Sequence, residues 1–215
     1  MKKVFLLLVS LVLLSGCTIT RMDTKTYDEV IDKVLSLNIK LSNKVGKGYK
    51  YYAPRGVVRV DANTYNDVLK RDSTTYYLYV DVVSYYNRVI EGYNEDTKAV
   101  YSKKINYEDK YGYIEINKWK NGKYLLEIMY NYAKIEVIVE ESFLKEAVSY
   151  AMVILASVKY NNNVLENIVG ENVLTSKEIE FNIFETKKSE SNFLKVSEED
   201  IYEDDDTVKD PDLVK

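Results

Sequence analysis

The stretch from Tyr113 to Val139 constrains the fold more than any other part of the 215-residue chain. Tyr113 to Trp119 and Tyr124 to Tyr130 are rich in aromatic and aliphatic residues that suit a pleated, packed surface. Between them stands Lys120-Asn121-Gly122-Lys123. Asn-Gly accepts the positive φ angles of a type I′ turn, so the two runs are expected to form a hairpin. That turn pairs Trp119 with Tyr124 and Tyr113 with Tyr130. A short turn near Asn131 leads to a third run, Ala133 to Val139. There Ile135, Val137 and Val139 alternate with Lys134, Glu136 and Ile138. Three consecutive antiparallel strands make a meander.

A helix from about Ser142 to Tyr160 follows. Phe143, Ala147, Ala151, Ile154 and Val158 lie along one stripe, and Tyr150 to Ala156 is apolar almost all round. A helix of that kind is deeply packed, most simply across the face of the sheet. Asn161 to Asn163 end it. From Val164 to Leu194 there is no clean period, and Phe181, Ile183, Phe184, Phe193 and Leu194 suggest docking on the body.

Upstream, Thr26-Tyr27-Asp28-Glu29 fits a capping box that opens a helix running to about Leu41. Gly46 and Gly48 break the pattern before a strand from Tyr49 to Ala53, which Pro54 ends. Arg55 to Asp61 reads as another short strand. Asn63 to Arg71 is ambiguous, and Asp72-Ser73 reads as a turn. Tyr76 to Tyr86 is the clearest strand of this half. Leu78, Val80 and Val82 fall on one face; Tyr77, Tyr79, Asp81, Val83 and Tyr85 fall on the other. Ala99 to Tyr107 is a more polar strand. The order helix, strands, meander, long buried helix implies an α+β class built on an antiparallel sheet.

The N-terminus has a different character. Met1-Lys2-Lys3 precedes an apolar run from Val4 to Leu14, then Ser15-Gly16-Cys17. Those are the parts of an export signal spanning residues 1–16. The run is shorter than the roughly 20 residues needed to span a bilayer. Leu14-Ser15-Gly16-Cys17 resembles the bacterial lipobox. The resemblance implies that the Cys17 thiol receives a diacylglyceryl group, with acyl chains such as palmitate, and that cleavage falls between Gly16 and Cys17. Two chains at one residue anchor stably where one binds marginally. Residues 17–25 form the lipidated tether, and residues 26–195 a single domain. From Val196 onward nine acidic residues stand against two lysines, which reads as a disordered acidic tail over 196–215. A solvated tail fits that composition better than a calcium site, since Asp204, Asp205 and Asp206 lack EF-hand spacing.

Cys17 is the only thiol and there is no histidine. That excludes Ser-His and Cys-His catalysis and histidine-ligated metals, and no internal disulfide can form. Carboxylate, lysine or tyrosine chemistry stays open. Between Cys17 and Lys195 the charges nearly cancel, 26 basic against 25 acidic, so no basic field points to nucleic acid. Neither cofactor nor metal is expected. Abundant Lys, Asn, Ile and Tyr fit an AT-rich, low-GC Gram-positive genome, in which a lipoprotein sits on the outer face of the cytoplasmic membrane.

Element order, and the strand-then-proline stretch Gly48-Tyr49-Lys50-Tyr51-Tyr52-Ala53-Pro54, resemble Mog1/PsbP-like domains. The resemblance implies an antiparallel sheet packed on helices and an accessory or binding role, with no catalytic residues to carry over. Tyr77, Tyr79 and Tyr85 are the candidate binding face, for a glycan or an envelope protein, although strand propensity alone also attracts tyrosine. The basic residues Lys44, Lys47, Lys50, Arg55 and Arg59 either face anionic headgroups or are ordinary surface charges. The reading that follows is a membrane-anchored, non-enzymatic binding or accessory module. Its alternative is a carboxylate-dependent hydrolase of cell-wall glycans, for which Asp81, Glu115 and Glu127 are the strand carboxylates.

Overall fold

The computed structural model describes residues 25–90 and 92–169. The export signal, Cys17, the apolar residues from Phe181 to Leu194, the domain boundary at 195 and the acidic tail all lie outside the described residues. Within them the class is α+β, as the element order implies. The strands are β1 (Lys44–Val45), β2 (Tyr49–Tyr51), β3 (Val58–Asn63), β4 (Asn66–Arg71), β5 (Thr74–Val80), β6 (Tyr101–Tyr107), β7 (Lys110–Lys118), β8 (Lys123–Tyr130), β9 (Ala133–Glu140) and β10 (Lys159–Tyr160). The helices are α1 (Tyr27–Leu35), α2 (Val82–Asn87), α3 (Leu144–Ala156) and α4 (Asn162–Val169).

Seven strands form one antiparallel sheet in the order β3-β4-β5-β9-β8-β7-β6. Leu69, Tyr76, Leu78, Val80, Ile114, Ile116, Leu126, Ile128, Ile135 and Val137 line one face and are all buried. The middle of α3 lies across β8 and β9 on that face, and α1 packs against α3. A small second sheet, β1-β2-β10, lies on the same side. It is fixed by Tyr51, whose hydroxyl donates to Asp67 of β4. Asp67 pairs in register with Leu78, so it too points to the covered face, and Arg59 pairs with it at 3.3 Å.

The meander is present, with a register one residue away from the expected one. Ile114 faces Ile128, Ile116 faces Leu126, and Tyr113 faces Met129 rather than Tyr130. Trp119 N–H donates to the Lys123 carbonyl, so the loop holds three residues, with left-handed Asn121 (φ 59°) and Gly122 (φ 70°). A two-residue turn would have set Ile116 against Glu127. A slip of one residue moves every side chain to the other face, so the apolar pattern decides the register over the turn cue. The two-residue turn with both φ angles positive falls instead at Asn131-Tyr132, where Tyr130 pairs with Ala133.

Several helix and strand limits also differ from expectation; the strand expected at Arg55 to Asp61 runs Val58–Asn63, and the one expected to reach Ala53 ends at Tyr51. The Thr26–Glu29 capping box is formed, with Glu29 N–H to Thr26 Oγ1 at 3.2 Å and Thr26 N–H to Glu29 Oε2 at 2.7 Å. The helix it opens stops at Leu35, not Leu41, because Ser36 caps it and Asn38 turns left-handed. The expected strand Tyr76 to Tyr86 ends at Val80. Asp81 is the N-cap of α2, accepting from Ser84 N–H at 2.7 Å. The long helix covers only Leu144–Ala156, so Phe143 stands exposed and Lys159–Tyr160 becomes an edge strand. Asn161 does not close the helical part either: its carbonyl and side chain accept from the first turn of α4. The ambiguous segment is β4.

Candidate binding face

Alternation sends every second residue of the large sheet to the face opposite α1 and α3. Antiparallel partners share a face, so the register writes out rows across that surface. One row runs Val68, Tyr77, Glu136, Glu127, Glu115, Ser102 across β4, β5, β9, β8, β7 and β6. The row beside it runs Asn66, Tyr79, Lys134, Met129, Tyr113, Lys104. Three glutamates therefore stand side by side on adjacent strands, about 4.8 Å apart in the pairing direction. Tyr77 continues the row at its β5 end, and Tyr79 and Tyr113 stand in the row beside it.

Each glutamate has its own partners. Lys134 Nζ lies 3.2 Å from Glu136 Oε1. Tyr113 donates its hydroxyl to Glu127. Asn117 Nδ2 donates to Glu115 Oε1 and Tyr93 Oη to Glu115 Oε2, both at 2.6 Å. Tyr93 comes from the segment after α2 and stacks flat on Tyr113, ring centres 4.0 Å apart. Its hydroxyl also meets Ser102 Oγ at 2.6 Å, and Ser102 accepts from Asp96 N–H at 2.8 Å. Burial of the Glu127 carboxyl holds its pKa above the ordinary carboxylate range. Lys134 and the Tyr113 hydroxyl pull the other way, while Glu136 and Glu115 add to the rise.

Of the expected binding tyrosines, Tyr77 and Tyr79 do share this face and are half-buried. Tyr85 does not. It lies on α2, stacks on Tyr160 at 3.7 Å between ring centres, and bonds Asn162 at 3.0 Å. Asp81 leaves the carboxylate set, because its side chain caps α2. Glu115 and Glu127 are brought opposite each other. Sequence reading missed Glu136 and Tyr113 as members of the site. The alternation in β9 already set Glu136 against the aliphatic face, but which strand lay beside it was not visible. Among the described residues, no group of three His, Cys, Asp or Glu is arranged to hold a metal ion. Glu136 is buried (6 % exposed), so the groups this face presents are the half-buried Tyr77, Tyr79, Glu127 and Glu115, a mix of aromatic and polar side chains that suits recognition of a polar partner.

On the opposite side a groove of about 650 Å³ runs between the loop after α1, Tyr52, Pro54 and α3. Leu37, Ile39, Leu41, Tyr150 and Val153 make it largely apolar. None of the glutamate row reaches it.

Residues 1–18 match the family model of the prokaryotic membrane lipoprotein lipid attachment site. This supports the lipobox reading and a membrane-anchored lipoprotein. No curated protein and no solved structure matches the chain.

Proposed function

We propose that this chain is a non-enzymatic binding or accessory module of the cell envelope, held by the Cys17 lipid on the outer face of the cytoplasmic membrane of a Gram-positive cell. The observation that carries the reading is the second face of the seven-stranded sheet, where Tyr77, Tyr79 and Tyr113 lie beside Glu136, Glu127 and Glu115. Tyrosine brings a large apolar body and a polar tip, the combination enriched at interfaces with proteins and sugars. An accessory role is also what the Mog1/PsbP-like resemblance implies.

A second reading has one observation of its own. Glu115 and Glu127 are cross-strand partners, and burial keeps a proton on Glu127 to higher pH than usual. Retaining glycosidases use two carboxyl groups about 5–5.5 Å apart, one of them protonated. Against it, the pair already takes hydrogen bonds from Tyr113, Tyr93 and Asn117, and the groove beside α3 is not lined by either carboxylate, whereas a glycan chain needs a cleft.

One experiment separates the two. A photo-crosslinking side chain at Tyr79, in intact cells, should give a discrete adduct that the same group at Lys98 does not give. Identical adducts from both positions would remove the binding face. Release of reducing ends from purified wall glycan by the full chain, lost in Glu127→Gln, would replace the module with the hydrolase.

A further inference from the structure

Between Lys33 and Asp61 the sequence holds six basic residues and no acidic one. The fold brings three of them, Lys40, Lys47 and Lys50, to the outer side of the small sheet and its adjoining loops, while Lys44, opposite Tyr51, takes the inner face. Val45, Lys50 and Lys159 are partners across β1, β2 and β10, so they share one face. Tyr49 and Tyr51 alternate to the other face and are buried, which turns Val45 and Lys50 outward. Lys47 stands exposed in the β1–β2 turn, and Lys159 Nζ donates to the Lys40 carbonyl, joining the loop after α1 to the same surface. Leu41 (65 % exposed) and Val45 (70 % exposed) are among the most exposed aliphatic side chains described. Arg59 is not part of it, being turned inward to Asp67 and the Val45 carbonyl. None of Lys40, Lys47, Lys50 and Lys159 enters an ion pair among the described residues.

Lysines without carboxylate partners, interleaved with exposed aliphatic side chains, are what an anionic lipid surface binds: charge meets headgroups, and apolar side chains enter the boundary. The chain supplies that surface by its own anchor. Eight residues separate Cys17 from Thr26, a reach of at most ~30 Å. α1 spans about 13 Å from the tether end toward the loop that carries Lys40 and Leu41. The tether is therefore long enough to let this surface meet the bilayer that holds Cys17.

We infer that the domain lies on anionic phospholipid headgroups through Lys40, Leu41, Val45, Lys47, Lys50 and Lys159, with the glutamate–tyrosine face turned away from the membrane. The small sheet covers the core side of the large one, so its outer side and the second face of the large sheet point in opposite directions. This inference rests on the lipid anchor for the proximity of a membrane, and the test keeps the two apart.

The mature chain, residues 17–215, with Cys17→Ser carries neither signal nor lipid, and its flotation with vesicles reads the surface alone. It should float with phosphatidylcholine vesicles containing phosphatidylglycerol, not with phosphatidylcholine alone, and should be released by high salt. Each lysine lost should weaken binding about fivefold. Lys40→Glu with Lys47→Glu and Lys50→Glu should abolish it, while Lys70→Glu with Lys98→Glu and Lys104→Glu should leave most of it. The milder triple change of the same three lysines to Gln, with an unchanged melting curve, guards against misfolding. Equal flotation with both vesicle types, or equal loss from both sets of reversals, would overturn the inference. So would protection of these lysines in cells by a protein partner without any lipid dependence. Acyl labelling of Cys17 in the unmodified chain is a separate readout, and its failure would remove the anchor and not the surface.

Discussion

At the scale of single residues, the glutamate row carries a cost that the fold tolerates. Glu127 stands between Glu136 and Glu115, and like charges directly opposite each other in a sheet destabilise by about 0.2–1 kcal/mol per pair. Its folded-state pKa is raised, chiefly by burial. A carboxyl that binds its proton more tightly when folded favours folding while protonated. That contribution is present below the unfolded value and is lost as pH rises through the folded one. Glu127→Gln removes the charge and keeps an acceptor for the Tyr113 hydroxyl. The variant should melt a few degrees higher than the native chain at pH 7, with the difference vanishing near pH 4. A melting temperature at pH 7 equal to or below the native one would show that the row is held together by its lysine and tyrosine partners after all. Retaining such a residue at that cost fits a surface kept for recognition.

At the scale of elements, the register of β7 against β8 is the central fact, and Gly112 tests it. A Cβ at Gly112 would lie 1.9 Å from the Met129 carbonyl oxygen and 2.8 Å from Tyr130 Cα, both backbone atoms of the neighbouring strand. Those atoms cannot yield without parting the ladder. Gly112→Ala should cost about 1–3 kcal/mol or more by urea denaturation, whereas Gly92→Ala, with open space around its Cβ, should cost little. Equal midpoints for the two would mean that β7 and β8 are paired differently. The register also shows what the sequence could and could not reveal. Alternation of Ile114 and Ile116 with Glu115 made the strands and their faces legible. Asn121-Gly122 made the hairpin legible but not its loop length, which fixes who faces whom. Hence Glu115 and Glu127 could be named and their adjacency could not, because strand order is a long-range property. Tyr85 was misplaced for a local reason: Asp81 followed by Val82, Val83 and Ser84 is both an alternating continuation of a strand and a capped helix start. The α1 boundary was hidden likewise, since Leu37 and Leu41 keep the helical spacing while lining a groove.

At the scale of the molecule, anchor, small sheet and open face act as a sequence of constraints. The attachment site at residues 1–18 puts one end of the chain in lipid. The short span to Thr26 keeps the domain near that surface, and the lysines on the small sheet then decide which side faces it. Neither constraint alone would orient the glutamate–tyrosine face, because a tether permits rotation and a weakly basic patch dissociates. Removing the first is the plainest test of the whole arrangement. Cys17 is the only thiol in the chain, so Cys17→Ala should abolish acyl-lipid labelling and block cleavage before residue 17. The signal then stays attached and the chain keeps its precursor mass. Unchanged labelling in that variant would defeat the anchor. If labelling is lost and crosslinking from Tyr79 falls with it, while the melting curve stays native, the anchor serves to position the binding face. A crosslink that survives would mean that the face finds its partner without the acyl chains on Cys17.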